Sequence, residues 1–245
     1  MLFDGPHLLY IFISLALTVL ILYLASKYIK KFKYKEWFLK FWAILTVFLH
    51  WLPLWVSHLQ GQDAIAANNQ LFPIYFCNMS MYLLVITAFW GDKQSKSFHF
   101  LAIITCYAGA LGALISLFYP EYYLGSGNIF ELGVFKSMLS HSTMLIGSIY
   151  LMTGHYFKVK LKDNLIIYGV GLLGFGVIGL AVNGLFALVG LPQPNAMFLQ
   201  KPPIEEVPFL NVFVIALLMM LVVAGISYSI EFLQTKRYAK EKVSA

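Results

Sequence analysis

The chain is 245 residues long, 60% apolar and only 11% charged, with a mean hydropathy of +0.76. A soluble domain usually carries about a quarter charged residues, so this composition excludes a water-exposed globular surface. The net charge of +6 sits in short clusters between apolar runs, which argues against a nucleic-acid-binding face and matches cytoplasmic loops.

A bilayer solvates apolar side chains but requires every backbone group to be paired internally, so spans are helices or closed barrels. The apolar runs here are about 20 residues long and lack the alternation of a barrel strand. The prediction is an all-α, polytopic seven-helix transmembrane bundle. Its spans fall at roughly residues 7–29, 37–59, 72–90, 98–119, 134–157, 165–190 and 209–233. No soluble domain, internal repeat or low-complexity tract interrupts them, so residues 1–245 read as a single transmembrane domain. The segment before the first span lacks the basic region and small-residue cleavage site of a signal peptide, and the first apolar run reads as a retained helix.

Basic residues set the expected orientation. The first loop holds Lys27, Lys30, Lys31, Lys33, Lys35 and Lys40, and the third holds Lys93 and Lys96. The fifth holds Lys158, Lys160 and Lys162, and the tail Lys236, Arg237, Lys240 and Lys242. Of the 17 basic residues only Lys136 and Lys201 fall on the opposite side. The positive-inside rule then puts the N-terminus outside and the C-terminus in the cytoplasm. The outer loops differ in character. Residues 60–71 are polar and carry Asp63, residues 120–133 carry Glu121, Glu131 and several glycines, and residues 191–208 hold five prolines with Asn195, Glu205 and Glu206. The last stretch cannot be a regular helix, because proline removes donors and fixes φ. It is also apolar enough to fold back over or into the outer face of the bundle.

Polar residues within spans are costly and point to function. Counting 1.5 Å per residue from the outer end of each span, Cys77 lies roughly 7 Å deep, His141 and Asn183 roughly 10 Å, and His50 roughly 13 Å. Asn78 adjoins the cysteine, Ser137 lies one turn from His141, and Asn195 would be lowered from the proline-rich loop. A thiol becomes a strong nucleophile beside an imidazole that takes its proton, and nearby amides orient the ring or stabilise an oxyanion. Cys77 and His141 are therefore the candidate catalytic pair, with Asn78, Asn183, Asn195, His50 and Ser137 as candidate substrate-binding residues. At acyl-ester depth such a pair suits transfer of a fatty acyl group between lipids through a thioester.

Bland readings stand beside these. Free cysteine also packs as a small hydrophobe, and intramembrane histidine and asparagine also tie helices together. Tyr10, His58, Trp51 and Trp55 read as interfacial anchors, and Cys106 and His99, toward the cytoplasmic half, as structural. Cys77, His50 and His141 would supply three ligands of a zinc site, but no local pair such as HxxxH or CxxC supports it, and neither metal nor cofactor is expected. The glycines of GVGLLGFGVIGLAVNG (169–184) read as close helix packing rather than a nucleotide site. A lipid or small-molecule carrier without chemistry remains the alternative function, and a structural membrane subunit a third.

The segment LFPIYFCNMS (71–80) resembles the LP-x-x-x-C-[ND] segment of a bacterial integral membrane family of the YwaF type. FKSMLSHSTMLIGSIYL (135–151) is similar to that family's serine–histidine helix, and VNGLF (182–186) with PNAMFLQKPP (194–203) to its N…N-Y-M-F-L-x-x-K-P stretch. That family is related to the transmembrane protein 164 type, regarded as acyltransferases that load polyunsaturated chains onto ether phospholipids. It is more distantly similar to the androgen-induced hydrolases of branched fatty-acid esters, which use a threonine and a histidine. The resemblance implies a seven-helix bacterial cytoplasmic-membrane protein whose partners are membrane lipids and not nucleic acid. The family cysteine falls on Cys77 and the histidine on His141. Two positions depart from the pattern: Tyr75 stands where the family often has histidine, and Ala196 replaces tyrosine in the Asn-Tyr-Met segment.

Overall fold

In the computed structural model the described residues are 3–59, 71–204 and 207–244. Expectations about residues 60–70, with Asp63, and about Glu205 and Glu206 lie outside them, as do those about the side chains of Trp55, His58, Arg237, Lys240 and Lys242. Among the described residues the fold is all-α, without strands. Seven principal helices appear: α1 (Gly5–Tyr28), α2 (Phe32–Leu59), α3 (Phe76–Phe89), α4 (Lys96–Phe118), α6 (Leu132–Thr153), α7 (Leu161–Leu188) and α8 (Val212–Ser244). A short helix α5 (Glu121–Ser126) joins α4 to α6, and a 3-10 turn (Ala196–Phe198) lies between α7 and α8. The helices that begin at Gly5, Lys96, Leu161 and Val212 are long and apolar enough to cross a membrane, and α3 is a shorter apolar helix.

Local chemistry sets the ends. Asp4 caps α1 by accepting from the His7 backbone N–H, and Pro6 occupies the first turn, where its missing donor is harmless. Ser95 caps α4 through the Phe98 N–H. Gly127 closes α5 at φ +69°, a left-handed conformation glycine adopts without strain. The third helix starts at Phe76, not at the expected Phe72. Pro73 disfavours helix in the residue before it, and Asn78 accepts from the Tyr75 N–H at 3.0 Å to cap the helix there.

The chain forms two compact units, residues 1–156 and 157–245. In the N-terminal unit α6 is central: α1, α2, α3, α4 and α5 all pack on it. It is rich in serine and threonine and carries Lys136 and His141, so the neighbouring helices shield the polar groups it cannot expose to lipid. Small residues bring the helices close. A Cβ on Gly147 would lie 2.8 Å from Leu84, and one on Gly109 would overlap Ser148. Hydroxyls then bridge between helices. Thr46 donates to Thr143 at 3.0 Å, Ser142 to Ser14 at 3.1 Å, and Thr87 and Thr105 pair at 2.8 Å.

In the C-terminal unit α7 packs on α8. Asn164 donates to Ser227, and the Tyr168 hydroxyl to the sulfur of Met219. The helices keep broad apolar faces exposed, including Leu173 and Val177 on α7 and Phe213, Leu217 and Leu221 on α8. Water would not tolerate such faces, but hydrocarbon solvates them, and the protein is an integral membrane protein.

Candidate functional site

Cys77 is the second residue of α3, so its sulfur belongs to the first helical turn. The positive end of the helix dipole lies there and favours an anion. The thiol is partly exposed, and its backbone rests on Gly112 of α4, where an added Cβ would lie 3.4 Å from Cys77 Cα. Asn78 follows, buried. With its Oδ1 committed to the Tyr75 N–H, its Nδ2 faces His50 Nε2 at 3.3 Å. The amide therefore donates, and His50 presents an unprotonated Nε2 with its proton on Nδ1. Asn78 and His50, from α3 and α2, are thus one hydrogen-bonded pair.

His141 is held from its own helix. Its ring Nδ1 lies 2.7 Å from the carbonyl of Ser137 one turn earlier, and since a carbonyl only accepts, Nδ1 carries the proton. Nε2 then presents a bare lone pair. The residue is only 8% exposed, and Nε2 is buried with no hydrogen-bond partner among the described residues. Ser137 thus serves through its backbone rather than its hydroxyl. Its carbonyl also accepts from Ser140 Oγ at 2.8 Å.

Lys136 was legible in the sequence only as an exception to the charge asymmetry. In the structure it lies in the second turn of α6 and is 3% exposed. Its position next to Ser137 was the signal available beforehand.

Asn183 and Asn195 lie in the C-terminal unit. Asn183 Oδ1 accepts from the Ala196 N–H at 2.9 Å, so the proline-rich segment does fold back, onto α7. Asn195 organises that segment internally: its Oδ1 accepts from the N–H groups of Gln200 and Lys201, and its Nδ2 donates to the Lys201 carbonyl. Trp51 donates to the Tyr82 hydroxyl at 3.1 Å, and the Tyr10 hydroxyl meets Ser142 at 3.4 Å, so both take part in interhelical contacts. Cys106 is wholly buried in α4. Among the described residues no three His, Cys, Asp or Glu side chains gather closely enough to hold a metal ion.

Beside these local geometries stands one decisive comparison. The TMEM164 family model matches residues 2–230. The chain belongs to the TMEM164 family. The match covers all seven principal helices through most of α8, so the elements that carry Cys77, His141, Asn183 and Asn195 all lie within the TMEM164 region. Comparison with curated proteins and with solved structures returned no match.

Proposed function

We propose that this protein is a membrane-embedded acyl-transfer enzyme acting on lipids, with Cys77 as nucleophile and His141 as general base. The observation that carries the reading is the state of His141: a buried ring with its proton fixed on Nδ1 and its Nε2 lone pair free. A general base needs an unprotonated ring nitrogen to take the proton.

In the first half-reaction the Cys77 thiol gives its proton to His141 Nε2 and the sulfur attacks the ester carbonyl of a donor lipid. The ester C–O bond breaks, and the departing oxygen takes the proton from His141. In the second, an acceptor hydroxyl gives its proton to His141 and attacks the thioester. The C–S bond breaks, and the thiolate recovers a proton from His141. The helix α3 N-terminus and the Lys136 ammonium favour the thiolate. In the N-terminal unit Asn78, His50 and Ser137 are the proposed substrate-binding residues, and in the C-terminal unit Asn183 and Asn195. The bundle works with its N-terminus outside and its C-terminus in the cytoplasm, as a single transmembrane domain in the bacterial cytoplasmic membrane.

The test is transfer of a labelled acyl chain between lipids by purified protein in vesicles. Cys77→Ala is expected to abolish transfer while the melting temperature is kept. Full transfer by that variant would rule out the thioester route, and lipid binding without turnover by the unaltered protein would leave a binding protein or carrier.

A further inference from the structure

Within four positions of the proline-rich segment, three non-glycine residues hold left-handed backbone: Asn195 (φ 51°), Met197 (φ 55°) and Phe198 (φ 55°). Such conformations are strained and persist only where surrounding contacts over-determine them. Here the contacts are plain. Asn195 ties the turn to Gln200 and Lys201, and Ala196 donates to Asn183. Met197 and Leu199 press against Gly179 of α7, where a Cβ would lie 2.8 Å from atoms of both.

This clamp fixes the Asn183 amide. Reversing it would set two N–H donors face to face, so Oδ1 must meet Ala196 and Nδ2 must point elsewhere. Asn183 is 4% exposed, and its Nδ2 is buried without a partner among the described residues. A buried donor left without an acceptor is costly. Helix α7 has 28 residues, or about 42 Å, which overhangs a hydrocarbon core of about 30 Å by about 6 Å at each end. Asn183 stands five residues before the final Leu188, about 7.5 Å along the axis. That is the depth at which glycerolipid ester carbonyls lie. A neutral amide suits a neutral carbonyl, whereas a phosphate in an apolar setting demands a cation.

We propose that the Asn183 Nδ2 group is the recognition donor for an ester carbonyl of a glycerolipid, held rigid for that purpose by the strained 195–201 clamp. The proposal deepens the substrate-binding role given to Asn183 above and rests on that reading, but it does not involve Cys77. Native mass spectrometry of the full chain released from nanodiscs would test it, with equal parts diester and diether phosphatidylglycerol of the same chain length. The unaltered protein is expected to retain the diester lipid over the diether by about fivefold, the worth of one hydrogen bond. Asn183→Leu should lose the preference. Asn183→Asp at pH 8, which keeps the acceptor for Ala196 while removing the donor, should lose it too. Cys77→Ala should keep it, so failure of the acyl-transfer mechanism would leave this result standing. Equal retention of the two lipids by the unaltered protein would overturn the proposal, even if both Asn183 variants failed to fold. So would an undiminished preference in either folded Asn183 variant.

Discussion

The Nδ1 of His141 lies 2.7 Å from the main-chain oxygen of Ser137, one helical turn before it. That single bond fixes the tautomer and leaves Nε2 buried and, among the described residues, without a hydrogen-bond partner. Because a backbone carbonyl holds the ring, substitution of the Ser137 side chain leaves the tautomer intact. His141→Gln is therefore expected to lower acyl transfer by about 10²–10⁴-fold, the usual worth of a general base, while Ser137→Ala costs far less. Initial rates of acyl transfer by the two variants check the contrast, and equal losses would contradict it.

Asn78 serves two neighbours, capping α3 at the Tyr75 N–H and donating to His50. Asn78→Ala removes both bonds and is expected to destabilise the fold by about 1–2 kcal/mol. Asn78→Asp keeps the cap but replaces the donor to His50 with an acceptor. Urea unfolding in detergent should therefore rank the alanine variant below the parent, with the cap at α3 still formed in the aspartate variant.

Sequence periodicity located the seven principal helices because each is an apolar run and the connections are polar or proline-rich. It placed the start of α3 four residues early, since apolarity continues through Phe72 and Ile74 while Pro73 and the Asn78 cap decide the backbone. It began the last span at Phe209, whereas Asn211 caps α8 through the N–H groups of Phe213 and Val214. The fold-back of the proline-rich segment was legible from its prolines and apolarity, but its tie to Asn183 was not. Nor were the left-handed Met197 and Phe198, because local propensity disfavours them and the packing of Met197 on Gly179 comes from tertiary contact. The burial of Lys136 was hidden for the same reason: in the sequence it counts only as a basic residue on the outer side.

Asp4 supplies a pH dependence. The Tyr123 hydroxyl donates to both its oxygens, at 2.5 and 2.6 Å, and this hydrogen bonding lowers its pKa from 3.8 to about 2. A carboxyl depressed in the folded state contributes stability that is present above pH 4 and is lost as pH falls toward 2. The melting temperature, followed by tryptophan fluorescence, should fall across that window more steeply in the parent than in Asp4→Asn. Parallel curves would show that Asp4 is not the titrating group.

The proposed orientation rests on lysine placement and is separable from the chemistry. Reporter fusions at the C-terminus and in the 91–95 connection should both report the cytoplasm, and a fusion in the 127–131 connection the opposite side. A C-terminus outside would invert the assignment and move Cys77 to the cytoplasmic leaflet.

The central claim is a covalent acyl–Cys77 intermediate, and the most direct measurement is the mass of the Cys77 peptide after brief mixing with an acyl-donor lipid and acid quench. The account predicts an acyl adduct on Cys77 that hydroxylamine removes, and that builds up when the acceptor lipid is withheld. Active transfer with Cys77 unmodified throughout turnover would contradict it.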